Sequence, residues 1–281
     1  MNIKIIESGY FKLDGGAMFG VVPKVMWQKL NPPDENNMCT WAMRCLLIEQ
    51  GDRKILVDTG MGDKQDEKFR SHFHPFGKKT LVESLQDEGV EPEEITDVLL
   101  THFHFDHVGG AVKIGQNGKY ELTFPNATYW TNELHYKWAD NPNPRERASF
   151  LKENFVPLLD SGKLQYIDVQ KEDVNWLPNI DIRFLYGHTE AMMIPIISYN
   201  GQKILYCADL MPSTGHIGLP YVMAYDIRPL VTMDERARML SEAVEKNHRL
   251  FLEHDPKTAM ISVVKNDRGR VVLGDSFNAI D

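Results

Sequence analysis

The run THFHFDHVGG, Thr101 to Gly110, spends three of the chain's ten histidines and an aspartate immediately after the apolar residues Val98, Leu99 and Leu100. Alternate side chains of an extended segment face one side, so His102 and His104 would point together. A turn after Phe105 would carry Asp106 and His107 to a neighbouring point. Such a segment offers two incomplete ligand sets rather than four ligands for one ion. Imidazole and carboxylate without thiolate suit zinc, with iron, manganese and cobalt as alternatives. Residues able to complete the sets stand where other apolar runs end: FLYGHTE reaches His188, KILYCAD reaches Asp209 and RLFLEHD reaches His254.

The elements that must deliver these residues are mostly strands. β-type runs cover Ile3–Ile6, Met43–Glu49, Lys54–Asp58, Ile95–Thr101, Ala127–Trp130, Ile180–Tyr186, Ile194–Tyr199, Ile204–Asp209 and Leu250–Glu253. Helical spacing marks KKTLVESLQDEGV, Asn132–Ala139, Arg145–Leu159 and Asp234–Asn247, the last with Thr232 as its expected cap and Glu235 three positions on. Asn200 and Gly201 supply the positive φ of a two-residue hairpin turn. Strands in runs, with fewer helices, suggest packed sheets with helices outside. The segment DGGAMFGVVPKVMWQKLNPPDENN reads as a long loop, too apolar to be a solvated linker. One domain spanning 1–281 is expected.

Composition excludes several classes of function. With 31 basic and 40 acidic residues the net charge is −9, which disfavours a nucleic-acid partner. The start MNIKIIESGYF has no signal-peptide pattern and no apolar run reaches membrane-spanning length, so no membrane association and a cytoplasmic location are expected. Cys39, Cys45 and Cys207 are odd in number and unclustered, reading as buried apolar residues rather than disulfides or zinc thiolates. His72 and His74 repeat the His-x-His spacing in a polar stretch without a carboxylate at motif distance, and read as surface residues.

The ordered set LVDTG, THFHFDH, GHT, AD and EHD resembles the metallo-β-lactamase superfamily of metal-dependent hydrolases. The resemblance implies an α/β fold, a four-layer αβ/βα sandwich of two mixed β-sheets flanked by helices. It also implies two divalent metal ions, zinc first. One would be held by His102, His104 and His188, the other by Asp106, His107 and His254, with Asp209 bridging both and Asp58 orienting a histidine ligand. The implied reaction is hydrolysis by a metal-bridging hydroxide that Asp106 and Asp209 hold in place. His104 stands where the oxygen-reducing flavodiiron branch has a carboxylate, which argues against redox chemistry.

Within the superfamily DGGAMFGVVPK, ADLMP and the AYD of Ala224–Asp226 resemble the N-acyl homoserine lactonases and a branch of quorum-quenching lactonases. The resemblance implies a small-molecule lactone or ester substrate and leaves a homodimer open. Pro212 departs from it, standing where such lactonases carry a Tyr after the bridging Asp. Tyr225 and His216 are the candidate replacements as oxyanion donor. Met18, Phe19 and Trp27 would wall an acyl pocket, or pack their loop onto the body or a second subunit. The alternatives are an organophosphate or arylester hydrolase, a glyoxalase II-like thioesterase and a non-catalytic binding protein on the same scaffold.

Overall fold

β-Branched and aromatic runs build two mixed sheets and a small hairpin. The first sheet has the order β1 (Asn2–Asp14), β2 (Met38–Gln50), β3 (Arg53–Val57), β4 (Asp97–Leu99), β7 (Thr128–Thr131) and β8 (Leu164–Tyr166), while β5 (Val112–Ile114) and β6 (Tyr120–Leu122) pair separately. β2 and β3 run antiparallel; β3, β4, β7 and β8 run parallel. The second sheet takes β9 (Val174–Leu177), β10 (Ile180–Leu185), β11 (Met192–Tyr199), β12 (Gln202–Tyr206), β13 (Arg249–Phe251), β14 (Met260–Lys265) and β15 (Val271–Phe277) in reverse order, antiparallel except for the β12–β13 pair. The computed structural model describes residues 1–280. By its contacts the chain divides into two compact units, Met1–Phe11 with Met43–Val169, and Lys12–Ala42 with Gln170–Asp281.

In the first unit a buried cluster including Leu47, Leu56, Val98, Leu100, Tyr129 and Leu158 forms the core. Phe103 belongs to it and stacks on Phe155 of the helix Lys152–Asp160 at 5.1 Å between ring centroids. Anchoring Phe103 fixes the loop on which His102 and His104 flank it. That loop leaves β4 at Leu99, and Phe105–Val108 closes one helical turn, so the bend expected after Phe105 is a short helix carrying Asp106 and His107. Gly109 and Gly110 follow because nothing larger fits: a Cβ at Gly109 would lie 2.0 Å from the Met61 carbonyl oxygen, and one at Gly110 2.1 Å from that of Thr59.

Most expected elements are present, with three corrections. The helix expected over Arg145–Leu159 begins only at Lys152, after a series of turns. The helix expected from Asp234 runs from Pro229 to Lys246, and Thr232 lies buried inside it rather than capping it. Pro229 at the first helical position makes the earlier start, since its fixed φ suits the first turn. The apolar loop after β1 contains two short helices, Gly15–Phe19 and Lys24–Trp27, the first capped by Asp14, whose side chain accepts from the Ala17 N–H at 2.8 Å. The Asn200–Gly201 turn is as expected: φ values of 48° and 77° close a β11–β12 hairpin with Tyr199 opposite Gln202. All three cysteines are free and buried.

Candidate metal centre

Asp58 organises the histidines of the first unit. It follows β3 at φ 57°, where its N–H donates to the Leu99 carbonyl at 2.9 Å, tying the end of β3 to the end of β4. Its carboxylate is buried and accepts the Thr101 N–H at 2.8 Å, the Thr101 hydroxyl at 2.7 Å and His107 Nδ1 at 3.1 Å. A carboxylate can only accept, so His107 carries its proton on Nδ1 and turns the Nε2 lone pair away. The Thr101 hydroxyl spends its proton on Asp58, so it accepts from His102 Nδ1 at 3.1 Å, and His102 too presents Nε2. The ring centroid of His102 lies 4.5 Å from that of His104 and 4.0 Å from that of His107. One aspartate therefore sets the tautomers of two imidazoles in a buried cluster, an arrangement that makes nitrogen ligands more basic and fixes their aim.

The second unit gathers two imidazoles around one carboxylate. His188 follows β10 and donates Nδ1–H to Asp226 at 2.7 Å; His254 follows β13 and donates Nδ1–H to the Ala42 carbonyl at 2.7 Å. Both rings thus turn Nε2 outward, and both reach Asp209, in the short turn after β12. His188 Nε2 lies 3.1 Å from one Asp209 oxygen and His254 Nε2 lies 3.1 Å from the other. A ring nitrogen this close to a carboxylate oxygen needs positive charge, either a proton on the ring or a cation between them, and each oxygen of Asp209 serves a different imidazole. Burial alone would hold His188 neutral, but Asp209 and Asp226 outweigh it and push the ring's pKa up to about 10, so without a metal ion the ring carries a proton on Nε2. The donor set, nitrogens and carboxylate oxygens without sulfur, fits zinc or another borderline divalent ion.

The remaining sequence candidates take varied positions. His216 is buried, accepts from the Ser213 hydroxyl at 2.8 Å through Nδ1 and donates Nε2–H to the Met18 carbonyl at 2.9 Å. Burial and the nearby Arg236 pull its pKa down to about 3, so the ring stays neutral. Phe19 stacks on that ring at 4.8 Å and on Trp27 at 5.3 Å, and Met18, Phe19 and Trp27 are all buried. Tyr225 is 37% exposed and immediately precedes Asp226. The Pro212 carbonyl accepts the His254 N–H at 3.2 Å, so the backbone at that position steadies a ring even though no phenol is present. His72 and His74 are exposed.

Three residues near the clusters carry little or no signal in the sequence. Asp226 is legible only as part of AYD. His135 accepts the Phe103 N–H at 2.8 Å and so holds the loop between His102 and His104. Glu146 is buried with an oxygen 3.7 Å from His104 Nε2, while its other oxygen accepts the Trp138 indole N–H at 2.8 Å. Neither His135 nor Glu146 stands at a motif spacing, because both come from distant helical or turn segments brought in by packing.

Residues 44–254 match the metallo-beta-lactamase superfamily, a stretch that contains Asp58 and all seven of the clustered ligand-type residues. The chain belongs to this superfamily. Among solved structures, a probable metal-dependent hydrolase from Staphylococcus aureus is 27% identical, with a TM-score of 0.86 and 98% of each chain covered. A dizinc quorum-quenching lactonase in complex with a product shares the fold at 22% identity and a TM-score of 0.78, over 98% of this chain and 94% of that one. An N-acyl homoserine lactonase from Bacillus cereus is 25% identical over 170 residues, 57% of this chain and 58% of that protein. The chain thus spans a little over half the length of the lactonases it matches. A probable metallo-hydrolase of Mycobacterium tuberculosis is 23% identical over 277 residues, 87% of this chain and 83% of its own. The α/β metallo-β-lactamase fold accounts for the two mixed sheets with their helices. Among the described residues no helix is long and apolar enough to cross a membrane.

Proposed function

We propose that the chain is a single-domain, dinuclear metal-dependent hydrolase that opens lactones or cleaves related esters. The observation that carries this reading is Asp209, whose two oxygens each lie 3.1 Å from the Nε2 of a different imidazole, each ring held by a hydrogen bond on its far nitrogen. His102, His104 and His188 would hold one ion, Asp106, His107 and His254 the other, and Asp209 both. Superfamily membership across 44–254 supports this division of ligands, and the lactonase relatives support the substrate class. Divalent ions held there would lower the pKa of a bound water and polarise an ester carbonyl.

The chain's own residues do the positioning. Asp58, Thr101, Asp226 and the Ala42 carbonyl each hold the Nδ1 of one imidazole, of His107, His102, His188 and His254, so that Nε2 is the atom each ring offers to a cation. We assign the oxyanion-donor role to Tyr225, a partly exposed residue that directly precedes Asp226, and a supporting role to His216, whose nitrogens are both engaged. Met18, Phe19 and Trp27 would stiffen the segment after β1, leaving its exposed Val21 and Met26 to meet an acyl chain. Zinc-loaded protein assayed against a panel of homoserine lactones, aryl esters and phosphotriesters tests the reading. Lactones should have the highest kcat/KM; phosphotriesters outpacing every lactone would refute the substrate class, and no hydrolysis of any of them would refute the activity.

A further inference from the structure

The first unit contains a cleft of about 450 Å³ that none of His102, His104, Asp106 or His107 lines. Its volume is that of a small-molecule site, for which roughly 300–1,000 Å³ is usual. Its lining carries four cations, Arg70, Lys78, Lys79 and Lys113, against two carboxylates, Asp63 and Glu83, an inversion of the chain's overall net charge of −9. Internal pairing consumes only part of that charge. Lys79 is paired with Asp87, Glu83 is bound by the Thr80 N–H at 2.7 Å in a capping box, and Asp63 lies in the field of Lys64. Arg70, Lys78 and Lys113 have no carboxylate partner among the described residues. One guanidinium nitrogen of Arg70, Nη1, is also buried with no hydrogen-bond partner. A buried donor left unmade costs free energy, so this nitrogen is held ready for an acceptor that enters the cleft.

The same cleft offers a flat apolar surface. Tyr10 and Phe76 line it with their rings stacked at 5.5 Å and 22°, their backbones joined by N–H···O bonds of 2.7 and 2.8 Å, and Phe76 remains 48% exposed. An exposed aromatic face and a guanidinium lining the same cleft suit a ligand with a flat ring and an oxyanion. Residual positive charge from more than one cation favours a phosphate over a singly charged carboxylate. We propose that this cleft binds a small phosphate ester bearing a planar ring, of the mononucleotide class, with Arg70 as the phosphate anchor and Phe76 as the stacking face.

Calorimetric titration of the metal-loaded protein with AMP, inorganic phosphate and adenosine tests this. AMP should bind saturably with one site per chain, phosphate more weakly and adenosine more weakly still. Arg70→Gln should weaken AMP binding at least tenfold, and Lys113→Gln, at an exposed strand position, should weaken it by a smaller factor, with metal content and thermal unfolding unchanged in both. Absence of AMP binding at millimolar concentration overturns the proposal. So does binding that survives Arg70→Gln and Lys113→Gln but disappears when the metal is chelated, because the phosphate would then sit on the metal ions.

Discussion

Asp58→Asn isolates the electrostatic role of one buried carboxylate with little change in shape. The backbone should accept it, since Asp58 sits at φ 57° and asparagine tolerates that region. The hydrogen bonds should not. Asp58 accepts three donors, the Thr101 N–H at 2.8 Å on one oxygen, and the Thr101 hydroxyl at 2.7 Å and His107 Nδ1 at 3.1 Å on the other. An amide has only one oxygen, so either orientation sets its NH₂ against a donor. Turned towards His107, the NH₂ drives that ring's proton onto Nε2 and blocks the nitrogen aimed at a metal; turned towards the Thr101 N–H, it breaks the bond that shapes the His102 loop. Loss of such a partner weakens metal binding roughly 10- to 100-fold, about 1.4 to 2.7 kcal/mol. Competition with a chromogenic zinc chelator at fixed pH reads this directly, with thermal unfolding of the metal-loaded protein as the control for folding. An Asp58→Asn variant that holds zinc as tightly as the parent would refute the claim that Asp58 sets these tautomers.

Other outcomes follow from the same geometry. In chelator-treated protein His188 has a pKa raised from 6.5 to about 10, so its charged form stabilises the fold fully below pH ~6.5 and that contribution is lost as pH rises towards about 10. The melting temperature of metal-free protein should therefore decline across that window, more than in His188→Gln; identical profiles would contradict the assignment. Phe19→Ala removes the middle ring of the Trp27–Phe19–His216 stack and should cost about 3 to 5 kcal/mol in urea unfolding, whereas a loss below about 1 kcal/mol would mean the stack is not a core. Gly110→Ala forces a Cβ to within 2.1 Å of the Thr59 carbonyl oxygen, so it should destabilise by about 1 to 3 kcal/mol and loosen zinc together; unaltered unfolding and metal affinity would show that the turn yields without strain.

Legibility from sequence tracks how local the causes are. HFHFDH announces itself because alternation around Phe103 and one helical turn suffice to sort its side chains, and the ends of β10, β12 and β13 are marked by apolar runs that stop at His188, Asp209 and His254. The hairpin at Asn200 and Gly201 is equally readable, since two residues determine it. What stays hidden depends on distant partners. Glu146 reaches the neighbourhood of His104 from a turn region whose helical spacing forms no helix, and Asp226 finds His188 across 38 residues. Thr232 and Glu235 look like a helix start, yet Glu235 accepts the N–H groups of Tyr186 and Gly187 from within the helix, a tertiary use that local pattern does not reveal. The segment after β1 is apolar enough to read as packed, but its ring stack forms only because Phe19 meets His216, 197 positions away by their numbering.

Metal content by plasma mass spectrometry, on the parent protein and Asp209→Asn after zinc reconstitution and desalting, tests the central claim most directly. Asparagine keeps the size of the side chain but leaves one oxygen where two face His188 and His254. The parent should retain close to two zinc ions per chain and the variant one or fewer, with folding preserved. A parent that never exceeds one ion per chain, or a variant that keeps two, would contradict a dinuclear centre bridged by Asp209.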